Sequence, residues 1–107
     1  MIIKQAAAQA RFSPEKMGKA SLAAGDYLYA GLNCFEPGQE HKAHAHADQD
    51  KLYVVLEGTG EATVGEECAQ VSAGDVVLAR AGVVHAMRNN SHARLVVMVV
   101  FGPPPRK

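Results

Sequence analysis

No segment of the chain sustains a helical apolar period over ten residues. From Tyr27 onward it breaks into short runs: "YLYAGLNCF" (27–35), "KLYVVLEG" (51–58), "GEATVG" (60–65), "ECAQVSAG" (67–74), "DVVLARAG" (75–82), "VHAMRN" (84–89) and "RLVVMVVF" (94–101). Each is bounded by Gly, Pro, Asn or Asp, which is how short strands joined by tight turns read in a sequence. Gly58 and Gly60 flank Thr59 between two runs, Gly65 precedes Glu66 and Glu67 at a hairpin tip, and "SAGD" (72–75) places Gly74 where a turn needs a positive φ. The expected fold class is all-β, an antiparallel sandwich or barrel.

With 107 residues the chain has room for one core and not for two, and 48% hydrophobic residues suffice to fill one. Its 11 Lys and Arg balance 11 Asp and Glu, so nothing electrostatic points to nucleic acid or to an anionic membrane. "MIIKQAAAQARF" carries a lysine and an arginine around a short Ala-rich run and does not read as a signal peptide. The longest apolar run, "LVVMVVF" (95–101), is too short to span a bilayer. Cys34 and Cys68 do not make a disulfide framework, and two free thiols suit the cytoplasm. Residues 1–24, Ala- and Lys-rich with Pro14 inside, read as an arm of weak local structure with a short strand near 20–23; residues 25–102 read as the barrel domain. The Pro-rich tail, 103–107, cannot join a sheet because its prolines lack donors, and either packs extended or hangs free.

His44 and His46 stand two apart in "HKAHAH" (41–46). On a strand, such positions share a face. Neutral imidazole is a good ligand for first-row transition metals, and an antiparallel fold could bring His85 opposite the pair. An isolated H-x-H is more often simply a polar strand face. Here it sits in a longer frame. Gly38, five residues, His44-Ala45-His46, four residues, Lys51, six residues, Gly58 is one spaced motif. Gly74, five residues, Arg80, one residue, Gly82, two residues, His85, three residues, Asn89 is another.

The two motifs, matched in order across about residues 27–101, resemble those of a small single-domain cupin. The resemblance implies a jelly-roll barrel of roughly six to eight antiparallel strands. It also implies one metal held by two histidines and a glutamate of the first motif and a histidine of the second. Carried onto this chain, the histidines are His44, His46 and His85, and the glutamate position is Lys51. Arg80 stands where the family usually has proline.

A protonated lysine has no lone pair and cannot ligate a metal. Lys51 shares strand parity with Tyr53 and Val55, which turns it toward the barrel interior. Three arrangements follow. The metal rests on three histidines and water, with Lys51 turned away or paired with Asp48 or Asp50. Alternatively a substitute completes the shell: Gln49 by its carbonyl oxygen, or His41, which lies off-face on a regular strand. Or the site holds no metal, and Lys51 with the histidines binds a small anion.

Tyr53 and Met87 are expected in the pocket wall, Met87 on the face of His85; Cys34 is expected as an inert buried thiol. Arg80 and His92 are expected at the solvent, and Asn89 capping backbone groups after its strand. The function expected is that of a cytoplasmic small-molecule-binding protein with a divalent transition metal (Fe, Mn, Ni, Zn or Cu). As an enzyme it would be a dioxygenase in preference to an isomerase or decarboxylase. The alternative is a metal-free, non-enzymatic module that binds or senses a small anion. The runs "RLVVMVVF" and "YVVL" are apolar on both strand faces, so a homodimer is expected, with neither nucleic acid nor membrane as partner.

Overall fold

Nine strands form among residues 1–104, the part of the chain that the computed structural model describes. They are β1 (Gly18–Ala24), β2 (Tyr29–Phe35), β3 (Glu40–His44), β4 (Asp50–Glu57), β5 (Thr59–Val64), β6 (Glu67–Ser72), β7 (Val76–Ala79), β8 (His85–Arg88) and β9 (Leu95–Gly102). All pairings are antiparallel. One sheet has the order β1-β2-β9-β4-β7 and the other β3-β8-β5-β6. Together they make the antiparallel all-β barrel expected from the short runs and turns, in the jelly-roll form that the family resemblance implies.

Period-two burial sets what faces inward. On β4, Lys51, Tyr53 and Val55 are buried while Leu52 and Val54 are half-exposed. On β9, Leu95, Val97 and Val99 join Phe35, Tyr53, Val55 and Met87 in the interior core. Burying one such aliphatic side chain contributes on the order of 2 kcal/mol. Val96 faces the other way, into a second cluster with Ala20, Leu32 and Cys34 on the outside of the sheet.

That outer cluster corrects the reading of residues 1–24 as an arm apart from the barrel. A short 3-10 helix (Ala6–Gln9) leads into Ala10 and Phe12, and Ala7, Ala10 and Phe12 lie against the cluster. Strand β1 begins at Gly18, ahead of the expected 20–23, and pairs with β2 along its length. A Cβ at Gly18 would overlap the Arg11 carbonyl, so only glycine lets the two segments approach this closely. Arg94 stacks on the Phe12 ring at 4.2 Å and pairs with Glu36 at 2.9 Å, pinning the segment from outside. The boundary at residue 25 therefore falls inside the β1–β2 hairpin. Of the tail, residues 105–107 lie outside the described residues; Pro103 accepts a hydrogen bond from the Gln49 amide at 2.9 Å.

The two sequence motifs are clasped together by backbone. Gly38 N–H donates to the Asn89 carbonyl at 2.8 Å, and Asn89 N–H donates to the Gln39 carbonyl at 2.9 Å. The fully buried Asn89 side chain donates to the carbonyls of Phe35 (3.1 Å) and Ala93 (2.8 Å), and its oxygen accepts from Ser91. This is the capping role expected for Asn89.

Candidate metal centre

His44 on β3 faces His85 on β8 directly across the ladder, with ring centroids 4.2 Å apart. His46 lies beyond the end of β3, which stops at His44, so the two are not neighbours on one regular strand as expected. His46 still reaches the same place: its carbonyl accepts the Gly82 N–H at 2.8 Å, and its ring centroid lies 5.0 Å from that of His44 and 5.7 Å from that of His85. Gly82, at φ 83°, makes the turn that allows this contact. One ring nitrogen from each of His44, His46 and His85 falls within 4.8 Å of the others, close enough for one ion to touch all three.

Hydrogen bonds decide which nitrogens are free. Nδ1 of His44 lies 2.7 Å from the Lys42 carbonyl, and Nδ1 of His85 lies 2.9 Å from the Val83 carbonyl. A carbonyl only accepts, so each Nδ1 carries the proton and each Nε2 the lone pair. Both Nε2 atoms are buried without a hydrogen-bond partner among the described residues. Such an orphaned group costs about 1–3 kcal/mol, and a metal at this point would satisfy both. Burial pushes the His85 and His46 pKa values down, and neighbouring histidines and Lys51 add to the shift. The rings are thereby kept neutral, the form that ligates. The donor set fits a transition metal.

His41 departs from expectation. The register slips between His41, opposite Met87, and His44, opposite His85: three positions of β3 span two of β8. This bulge turns His41 to the interior, where its ring lies 4.2 Å from that of His44. It stays outside the set of three. Burial first, and then the Lys51 charge, push its pKa down to about 3. Gln49 lines a cleft with His46 and Phe101, and commits its amide nitrogen to Pro103.

Lys51 is 2% exposed and interior, as the strand parity of β4 predicts. It pairs with neither Asp48 nor Asp50; the Asp50 carboxylate instead accepts the Ala81 N–H at 2.8 Å. Its ammonium lies 4.7 Å from the Tyr53 ring centroid and 4.9 Å from that of Phe101, a cation–π pair of contacts. Burial, and then the nearby Lys19, lower its pKa to about 8. The Tyr53 hydroxyl is buried without a partner among the described residues, and burial raises its pKa. Met87 is buried beside His85, Cys34 is buried in the outer cluster with its pKa raised by burial, and Arg80 and His92 are exposed, all as expected.

Asn33 and Phe101 were not anticipated at the site. Asn33 is 3% exposed and its Nδ2 has no partner among the described residues. Its signal was present in the sequence: Tyr29, Gly31, Asn33 and Phe35 share one parity, and an asparagine among strand residues that face a core needs a reason.

A family model described as "Cupin domain" matches residues 31–101. The chain belongs to the cupin family. A curated relative, the uncharacterized protein SCO3923 of Streptomyces coelicolor, is 42% identical over 77 residues, 72% of this chain and 71% of the relative. Among solved structures, TT1209 from Thermus thermophilus is 38% identical and superposes with a TM-score of 0.92 over 98% of this cupin and 100% of that chain. A protein with a double-stranded β-helix domain from Klebsiella pneumoniae shares the fold, at 22% identity and a TM-score of 0.86 over 94% of this chain and 89% of that one.

Proposed function

We propose that this cupin binds one divalent transition metal through His44, His46 and His85, and a small-molecule ligand in the barrel interior beside it, with dioxygenase-type activity on a small oxygenated substrate. The observation that carries the reading is the pair of buried, unpartnered Nε2 atoms on His44 and His85, each fixed by a backbone carbonyl at its Nδ1. Three protein ligands leave positions open, and a bound ion there would supply Lewis-acid or O₂ chemistry. The residues themselves hold His44 and His85 in one tautomer through backbone carbonyls, favour neutral His46 and His85 by burial, and set the buried side chains of Tyr53 and Met87 beside them.

Elemental analysis of untagged protein tests it: one equivalent of Fe, Mn, Ni, Zn or Cu per chain is expected, and none after His46→Ala. Full occupancy in His46→Ala removes the assignment. Oxygen consumption with small oxygenated substrates tests the activity. A second reading has its own observation, the buried cation at Lys51 with no carboxylate partner among the described residues. On that reading the interior is a metal-free small-anion module, and a metal-free protein that binds its ligand with unchanged affinity after His46→Ala would establish it.

We also propose a homodimer, supported by Val76 (57% exposed) and Leu78 (48% exposed) beside the half-exposed Leu52 and Val54 on the outside of the sheet. A cytoplasmic location is supported by the two free cysteines.

A further inference from the structure

Beside the three-histidine cluster lies a second chamber of about 310 Å³, at the small end of ligand pockets. Lys19, Asn33, His41 and Lys51 line it, with the Tyr29 and Phe101 rings. None of the residues lining it is acidic. We propose that this chamber is a carboxylate subsite, in which Lys51 and Lys19 hold the charge and the Asn33 side-chain amide donates to a carboxylate oxygen.

Three observations converge. Lys51 is buried and has neither an ion-pair nor a hydrogen-bond partner among the described residues; the Tyr53 and Phe101 rings lie against its ammonium. Asn33 is buried with its Nδ2 orphaned, on the strand position paired with Lys19. A buried donor without an acceptor and a buried cation without a counter-charge are both unfavourable, and one anion between them relieves both. Lys19 and Lys51, both cationic, line the same chamber. Gly31 lets the Tyr29 side chain lie over the strand, since a Cβ there would come within 2.9 Å of the Ala20 carbonyl oxygen and 3.0 Å of the Tyr29 hydroxyl. The rings of Tyr29 and Phe101, 5.9 Å apart, give an apolar wall to a carbon skeleton, which a carboxylic acid has and inorganic phosphate lacks. The inference rests on the small-molecule role proposed above and names its chemical class. It does not depend on the metal.

The test titrates the chelated full-length chain with acetate, and with acetamide as the uncharged analogue, followed by ¹H–¹⁵N NMR. Acetate is expected to move the Asn33 side-chain amide; acetamide is not. Lys51→Met should weaken acetate binding by about tenfold or more, as expected for losing a hydrogen bond to a charged group. Lys19→Ala, a surface change, should weaken it less. Asn33→Asp supplies the carboxylate from the protein itself, so it should abolish acetate binding and raise the melting temperature. Acetate that leaves the Asn33 amide unmoved, or binds wild type and Lys51→Met alike, overturns the proposal, as does a lowered melting temperature in Asn33→Asp with acetate binding retained. Cobalt(II) binding, read by absorbance in wild type and His46→Ala, reports the metal site separately. Its failure with acetate binding intact removes the metal function and leaves the subsite standing.

Discussion

His41 and His44 stand three positions apart on β3, yet their rings approach to 4.2 Å between centroids. A regular strand would send them to opposite faces. The bulge between them brings the His41 ring beside the three that converge, and His41 also lines the neighbouring chamber. His41→Ala should therefore keep full metal occupancy, whereas His44→Ala and His85→Ala should lose it. Elemental analysis of the three variants checks this, and an empty site in His41→Ala would move His41 into the ligand set.

Lys51→Glu should raise metal affinity on the order of tenfold to a hundredfold, because it exchanges a repelling charge for an oxygen ligand. Competition against a chromogenic chelator at neutral pH reads the change. An unaltered affinity would mean that the side chain at 51 does not reach the ion. The same variant should lose acetate binding.

Lys51→Met should stabilise the metal-free protein. The Lys51 pKa falls from 10.5 unfolded to about 8 folded, so below pH 8 the unfolded chain binds that proton more favourably, by on the order of 1–3 kcal/mol. Stability from this group rises with pH between 8 and 10.5 in wild type, and Met removes that rise. Urea melts at pH 7 and pH 10 make the comparison.

Acid should unfold the metal-free protein through its histidines. His41 falls from 6.5 to about 3 on folding, so between those values the unfolded chain holds more protons than the native one. The contribution of this depressed group is fully present above pH 6.5 and is lost as pH falls toward 3. His46 and His85 shift in the same direction. Thermal melts of His41→Phe should show a shallower loss between pH 6.5 and 4 than wild type; equal slopes would contradict the assignment.

Leu78→Glu should split the proposed dimer. Light scattering should give twice 11.4 kDa for wild type and 11.4 kDa for the variant, with metal content unchanged because Leu78 faces away from the interior. A monomeric wild type at micromolar concentration would remove the proposal.

Much of this was legible in the sequence because it is local. Short runs and glycine turns announce β-strands at residues 27–101, and the parity from Lys51 to Val55 is a property of any strand. The spaced motifs brought His85 to His44 through the family resemblance. Other features depend on distant partners. The bulge in "HKAH" has no glycine to mark it and follows from how β3 fits β8. Asn33 meets the Lys51 chamber only because β9 lies between β2 and β4, with Tyr29 opposite Phe101 and Phe101 opposite Lys51. The Ala-rich opening segment is too weakly apolar to read as part of a core, and becomes one only where β2 and β9 present an outer face to be covered.

That covering segment gives the molecule a built-in clock. The Cys34 thiol is fully buried, with the Arg11 N–H against its sulfur at 3.3 Å, while Cys68 lies open to solvent. An alkylating reagent should consume Cys68 at once and wait for Cys34 until residues 7–12 lift from the sheet. The slow phase of labelling would then count those openings directly, a measure of local breathing against which global unfolding can be set.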